Sequence, residues 1–89
     1  MAWRIEFSHA ADKALQTLSA DIQRRIVRFL RERVANAENP RETGEALKGN
    51  LRDYWRYRVG DYRILCRLED DIVTVFVVHV GHRREVYKK

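Results

Sequence analysis

Apolar and polar residues alternate over Trp3-Arg4-Ile5-Glu6-Phe7, the period-two signature of a strand with one buried face. The period then changes. Ala11, Leu15 and Leu18 recur at helical spacing behind Ser8, a residue suited to cap a helix starting at His9. Ser19 is a second cap, with Asp21 in the first turn, where the helix dipole favours an anion. Ile22, Ile26, Phe29, Leu30 and Val34 then form one apolar stripe, and Arg24, Arg25, Arg28 and Arg31 fall on the other faces. This pattern predicts two antiparallel helices joined by a very short link.

Glu38 to Asn50 holds Pro40, Gly44 and Gly49 and reads as a loop, with Leu47 as its one docking side chain. Strand-like sequence resumes from Leu51 to Val59 and from Asp61 to Leu68, around Val59-Gly60-Asp61, where glycine supplies the positive φ of a tight hairpin. Glu69-Asp70-Asp71 is the next turn. Ile72 to Val80 is almost wholly apolar and β-branched, which predicts a central strand covered on both faces and ended by Gly81. The last eight residues read as a short polar tail. The expected fold is α+β: an N-terminal strand, a two-helix hairpin, then a three-strand antiparallel meander, all in one domain over residues 1–89. The helices bury their stripes on one face of the sheet and leave the other to carry function.

Composition sharpens this picture. Lys and Arg outnumber Asp and Glu by 18 to 13, a net charge of +5 that suits nucleic acid or an acidic protein partner. Cys66 is the single cysteine, so an intramolecular disulfide or a cysteine-based zinc site is excluded, and its apolar strand predicts a buried structural thiol. No leader-like N-terminus and no run of roughly 20 apolar residues is present, so a cytoplasmic protein without membrane contact is expected.

The candidate chemistry lies in the arginines of the second half. Side chains alternate along a strand, so Arg56 and Arg58 share a face. With Gly60 and Asp61 as the central turn residues, Arg58 stands opposite Arg63 and Arg56 opposite Leu65. Like charges so placed oppose folding by an amount on the order of 0.2–1 kcal/mol, and such a cluster either splays into water or binds an anion. Arg83 and Arg84 follow the last apolar strand, with Tyr87 close behind. Guanidinium groups stabilise a phenolate, which tunes a tyrosine towards general-base chemistry, and they hold phosphate and neutralise charge in a transition state. That set suits cleavage of RNA by its own 2′-hydroxyl, without a metal or other cofactor. Trp55 and Tyr57 alternate with the arginines and are expected in the core, whereas Tyr54 shares the arginine face. His79 reads as a structural histidine and His9 as a surface one. The three histidines lack metal-ligand spacing with carboxylates or Cys66.

The segments Leu47-Lys48-Gly49, Tyr54-Trp55-Arg56-Tyr57-Arg58, Gly60-Asp61-Tyr62-Arg63-Ile64 and Val80-Gly81-His82-Arg83-Arg84-Glu85-Val86-Tyr87 resemble the RelE toxins of toxin–antitoxin pairs, in the RelE/ParE superfamily. The resemblance covers nearly the whole chain. It implies a compact sheet with helices on one side, a toxin that enters the ribosomal A site and cuts mRNA there by 2′-hydroxyl attack, and a cognate antitoxin that wraps and blocks it in a hetero-oligomer. By position, Arg56 and Arg58 match a basic pair that grips 16S rRNA and mRNA phosphates, and Arg63 an arginine on the scissile phosphate. Arg83 matches a tail arginine that assists phosphate stabilisation or leaving-group protonation, and Tyr87 the general base. Arginine stands here where familiar members carry lysine at the basic pair, and its pKa above about 12 makes it a poor proton donor. His82 is then a candidate for the acid, and Arg84 is counted with the substrate-binding residues without a defined role. The resemblance also admits a gyrase inhibitor of the ParE branch, and the charge alone a non-catalytic RNA-binding module.

Overall fold

The computed structural model describes residues 2–51 and 53–82. Strand β1 (Arg4–Phe7) leads into helices α1 (His9–Gln16) and α2 (Ala20–Phe29), and α2 continues through a π-helical stretch, Leu30–Ala35. Strands β2 (Glu45–Ala46), β3 (Trp55–Val59), β4 (Tyr62–Glu69) and β5 (Thr74–His82) follow. Both predicted caps form: the Ser8 hydroxyl accepts from the Ala11 amide at 3.0 Å and that of Ser19 from the Ile22 amide at 3.3 Å.

The sheet order is β1-β5-β4-β3-β2. The predicted meander is present as β3, β4 and β5, all antiparallel, and β1 joins its far edge parallel to β5. The stretch read as a loop carries short 3₁₀ turns at Pro40–Glu42 and from Gly49, and it also enters the sheet. It contributes a two-residue edge strand, β2, antiparallel to β3, with Glu45 opposite Arg56 and Ala46 opposite Trp55. The expected long third strand is shorter than its sequence suggested, because Gly49–Leu51 coils into a 3₁₀ turn before it.

The helices cover one face only. Ala11, Leu15, Ile26, Leu30 and Val34 pack against Tyr57, Val59, Ile64, Cys66, Val75, Val77 and Val80 in one core cluster, with Trp3, Trp55 and Tyr62 partly buried around it. Tyr57 is fully buried, meets Phe29 edge-on at 5.8 Å between centroids, and donates its hydroxyl to the Pro40 carbonyl at 2.7 Å. No residue of interior strand β5 is exposed, as its apolar run suggested, although the helices cover one face only. A register shift beside Leu65 and Cys66 pairs Leu65 with His79 but Cys66 with Val77, leaving Val78 as a bulge. The bulge resets the alternation, so Val75 and Val77 on one side of it and Val80 on the other all face the helices. The apolar run thus spans a change of parity. Gly81 does not end the strand; it is paired within it, opposite Arg63.

Candidate functional site

The helix-free face of β3 and β4 is where the arginines collect. The turn between these strands places Gly60 at φ +59°, and Asp61 does not share that positive φ. A two-residue turn fixes the register as the sequence predicted: Arg58 opposite Arg63, and Arg56 opposite Leu65. Across β4 on the other side, Arg63 faces Gly81, which offers no side chain to compete for the space above it. Arg63 is folded back over the hairpin, its Nη1 donating to the carbonyls of Gly60 and Tyr62, each at 3.2 Å. Arg67 lies farther along β4 with the same parity, beside Glu69 at 3.3 Å.

One residue at this site was not singled out from the sequence. Glu45, on the edge strand, pairs with Arg56 through one carboxylate oxygen and with Arg58 Nη2 through the other at 3.2 Å. The Arg56 side chain is only 12% exposed, so its charge sits in a poorly solvated place where an ionic partner counts for more than at the surface. Nothing in the periodicity marks Glu45. Its contact with Arg56 spans eleven positions and depends on β2 forming at all.

His82 pairs with Tyr62 across the ladder and meets its ring edge-on at 5.7 Å, on the helix side of the sheet rather than among the arginines. His79 is half-buried opposite Leu65, and His9 is exposed. Tyr54 is half-buried, and Trp55 donates its indole N–H to the Thr43 carbonyl at 2.8 Å. Arg83, Arg84 and Tyr87 lie outside the described residues. Among the described residues no group of three His, Cys, Asp or Glu could hold a metal ion, and no helix is long and apolar enough to cross a membrane.

Cys66 is fully buried, and burial pushes its thiol pKa up; burial does the same to the Tyr57 hydroxyl. The folded protein should therefore resist a thiol reagent at neutral pH that modifies it rapidly in denaturant. The same shifts set the alkaline limit of stability. Both groups are neutral in either state below about pH 8.5, and above it the unfolded chain releases its protons first. Stability should then fall with rising pH, by up to about 1.4 kcal/mol per pH unit for Cys66, with Tyr57 adding to the slope above about pH 10. Denaturant midpoints at pH 8, 9.5 and 10.5 check this; a Cys66→Ala variant with an unaltered slope between pH 8.5 and 10 would contradict it.

Relatives can now be set beside this geometry. The family model for the ParE toxin of the type II toxin–antitoxin system parDE matches residues 5–87. Toxin RelG of Mycobacterium tuberculosis is 28% identical over 89 residues, covering all of both chains. Among solved structures, the toxin–antitoxin complex RelBE2 of M. tuberculosis superposes with a TM-score of 0.85 at 27% identity, over 96% of this chain and 95% of the other. The isolated Escherichia coli RelE toxin superposes with a TM-score of 0.72 at 26% identity, over 97% and 92% of the two chains. The match spans the sheet, the helices and the arginine-bearing hairpin, and on it this chain belongs to the ParE toxin family of type II toxin–antitoxin systems, as a RelE-type member of the RelE/ParE superfamily.

Proposed function

We propose that this toxin is an endoribonuclease that cuts mRNA in the ribosomal A site and so halts translation. The observation that carries the proposal is the opposed pair Arg58 and Arg63, continued by Arg56, on the face of the sheet that the helices leave open. Three arginines on that one face suit a phosphodiester backbone, and their forked donors suit its non-bridging oxygens.

In the proposed reaction Arg56 and Arg58 hold mRNA and 16S rRNA phosphates, and Arg63 and Arg83 neutralise charge on the scissile one. Arg84 adds to the phosphate-binding set. Tyr87 takes the proton of the 2′-hydroxyl as general base. The 2′-oxygen bonds to phosphorus as the bond to the 5′-oxygen breaks, leaving a cyclic phosphate on one fragment. The departing oxygen acquires a proton from water; His82, on the helix side, flanks the site rather than entering it. The chemistry needs base and charge stabilisation and no metal. Relatives solved as RelE–RelB complexes support a cognate antitoxin that covers this surface in a hetero-oligomer, and a cytoplasmic setting follows from the ribosomal target.

The test compares a defined mRNA on programmed ribosomes with the same mRNA free in solution. The expected result is cutting on the ribosome alone, lost or much slowed in Arg83→Ala and Tyr87→Phe. The matched family description is that of a ParE toxin, so the gyrase inhibition of the ParE branch is kept as the second reading. A supercoiling assay in which excess toxin leaves gyrase active removes that reading, whereas inhibition without mRNA cutting replaces the first.

A further inference from the structure

We infer that Glu45 is a built-in competitor for the phosphate that Arg56 and Arg58 bind; the inference rests on the nucleic-acid reading of this face. A carboxylate and a phosphate present the same thing to a guanidinium, an anionic pair of oxygens at hydrogen-bonding distance. Glu45 uses one oxygen on each arginine, so its carboxylate occupies the place between them where a phosphate oxygen would bridge. Two arginines of one strand are thereby held side by side in the free protein. Arg56 in particular keeps a counter-charge although it is largely buried.

The element that carries Glu45 is suited to yielding. β2 is two residues long and lies at the edge of the sheet, and both its side chains are exposed. Little apolar area is lost if it shifts. An incoming phosphate therefore has to displace the carboxylate or approach it against repulsion, and in either case Glu45 weakens RNA binding. The same residue supports the resting fold. It is a positioning residue whose removal should move stability and RNA affinity in opposite directions.

The experiment measures binding of a fluorescent single-stranded 2′-O-methyl RNA, which cannot be cleaved, to four proteins over a range of salt. They are the wild type, Glu45→Gln, Glu45→Asp, and Glu32→Gln as a control of equal charge change on the helical layer. Glu45→Gln should bind about fivefold tighter at low salt, with the slope of log affinity against log salt steeper by about 0.7, the share of one further phosphate contact on a single strand. Its melting temperature should fall in the absence of RNA and recover when RNA is added. Glu45→Asp, which keeps the charge, should track the wild type. Equal gains in Glu45→Gln and Glu32→Gln, or an unaltered salt slope in Glu45→Gln, overturn the inference and leave the nucleic-acid reading standing. Absence of RNA binding by all four overturns both.

Discussion

Replacing Arg63 by alanine is expected to slow mRNA cleavage on the ribosome by about two to three orders of magnitude, the usual loss when one preorganised donor to a developing anion is removed. Arg63 is opposed by Arg58 across one strand pair and by Gly81 across the other, and its own guanidinium is steadied by the Gly60 and Tyr62 carbonyls. Those contacts fix its position before substrate arrives, so little reorganisation is needed at the moment of reaction. The substitution removes no core side chain and relieves the repulsion from Arg58, so thermal stability should be unchanged or slightly higher. A loss of activity with unimpaired folding is therefore the signature to look for. Arg63→Lys should recover only part of the rate, because a single ammonium cannot reproduce the fork of a guanidinium. A fall of less than about threefold in Arg63→Ala would mean that the scissile phosphate lies elsewhere.

The pairing of Arg58 with Arg63 was legible because the two strand-like stretches meet at Gly60-Asp61, and glycine can take the positive φ that a two-residue turn needs. The caps at Ser8 and Ser19 were legible for a similar reason: each is decided by residues within one helical turn. What was hidden depended on long-range pairing. The side chain of His82 illustrates this. Counting alternation back through an unbroken apolar run puts Val75, Val77, His79 and Gly81 on one face and His82 among the arginines. The bulge at Val78 reverses the count, and His82 lands beside Tyr62 on the helix side. Val75, Phe76, Val77, Val78 and Val80 are all apolar, so the hydrophobic pattern does not distinguish the two parities. The edge strand was hidden by brevity. Glu45-Ala46 has no period to read, and only pairing with β3 makes it a strand and brings its carboxylate onto Arg56 and Arg58. The parallel junction of β1 with β5 leaves no local trace either, since one alternating segment looks alike in both orientations.

Gly44→Ala should be far more damaging than Gly60→Ala, and it tests how firmly β2 and Glu45 are held. Gly44 sits at φ +86°, where an L-residue is strained by roughly 1–2 kcal/mol. A Cβ there would come within 2.5 Å of Trp55 Nε1, 2.6 Å of the Arg56 carbonyl oxygen and 2.8 Å of Tyr57 Cδ1. None of these atoms can yield easily. The indole is bound to the Thr43 carbonyl, the carbonyl belongs to the β3 backbone, and the Tyr57 ring is fully buried and tied to Pro40. Overpacking of this kind adds about 1–3 kcal/mol, for a total of about 2–5 kcal/mol. For a domain of this size that corresponds to a melting temperature lower by roughly 8–40 °C. Gly60→Ala is the internal control. Its φ is also positive, at +59°, but the nearest atom to a new Cβ is the far end of the Arg25 side chain at 3.3 Å, which can swing aside. That variant should lose only the backbone part, roughly 1–2 kcal/mol. If both variants melt together, backbone strain alone governs both sites and the close packing of Gly44 against β3 contributes nothing. If Gly44→Ala melts far lower, and the fraction that remains folded in the cold binds RNA more tightly, then the segment between Thr43 and Ala46 both seals this end of the core and holds Glu45 over the arginines.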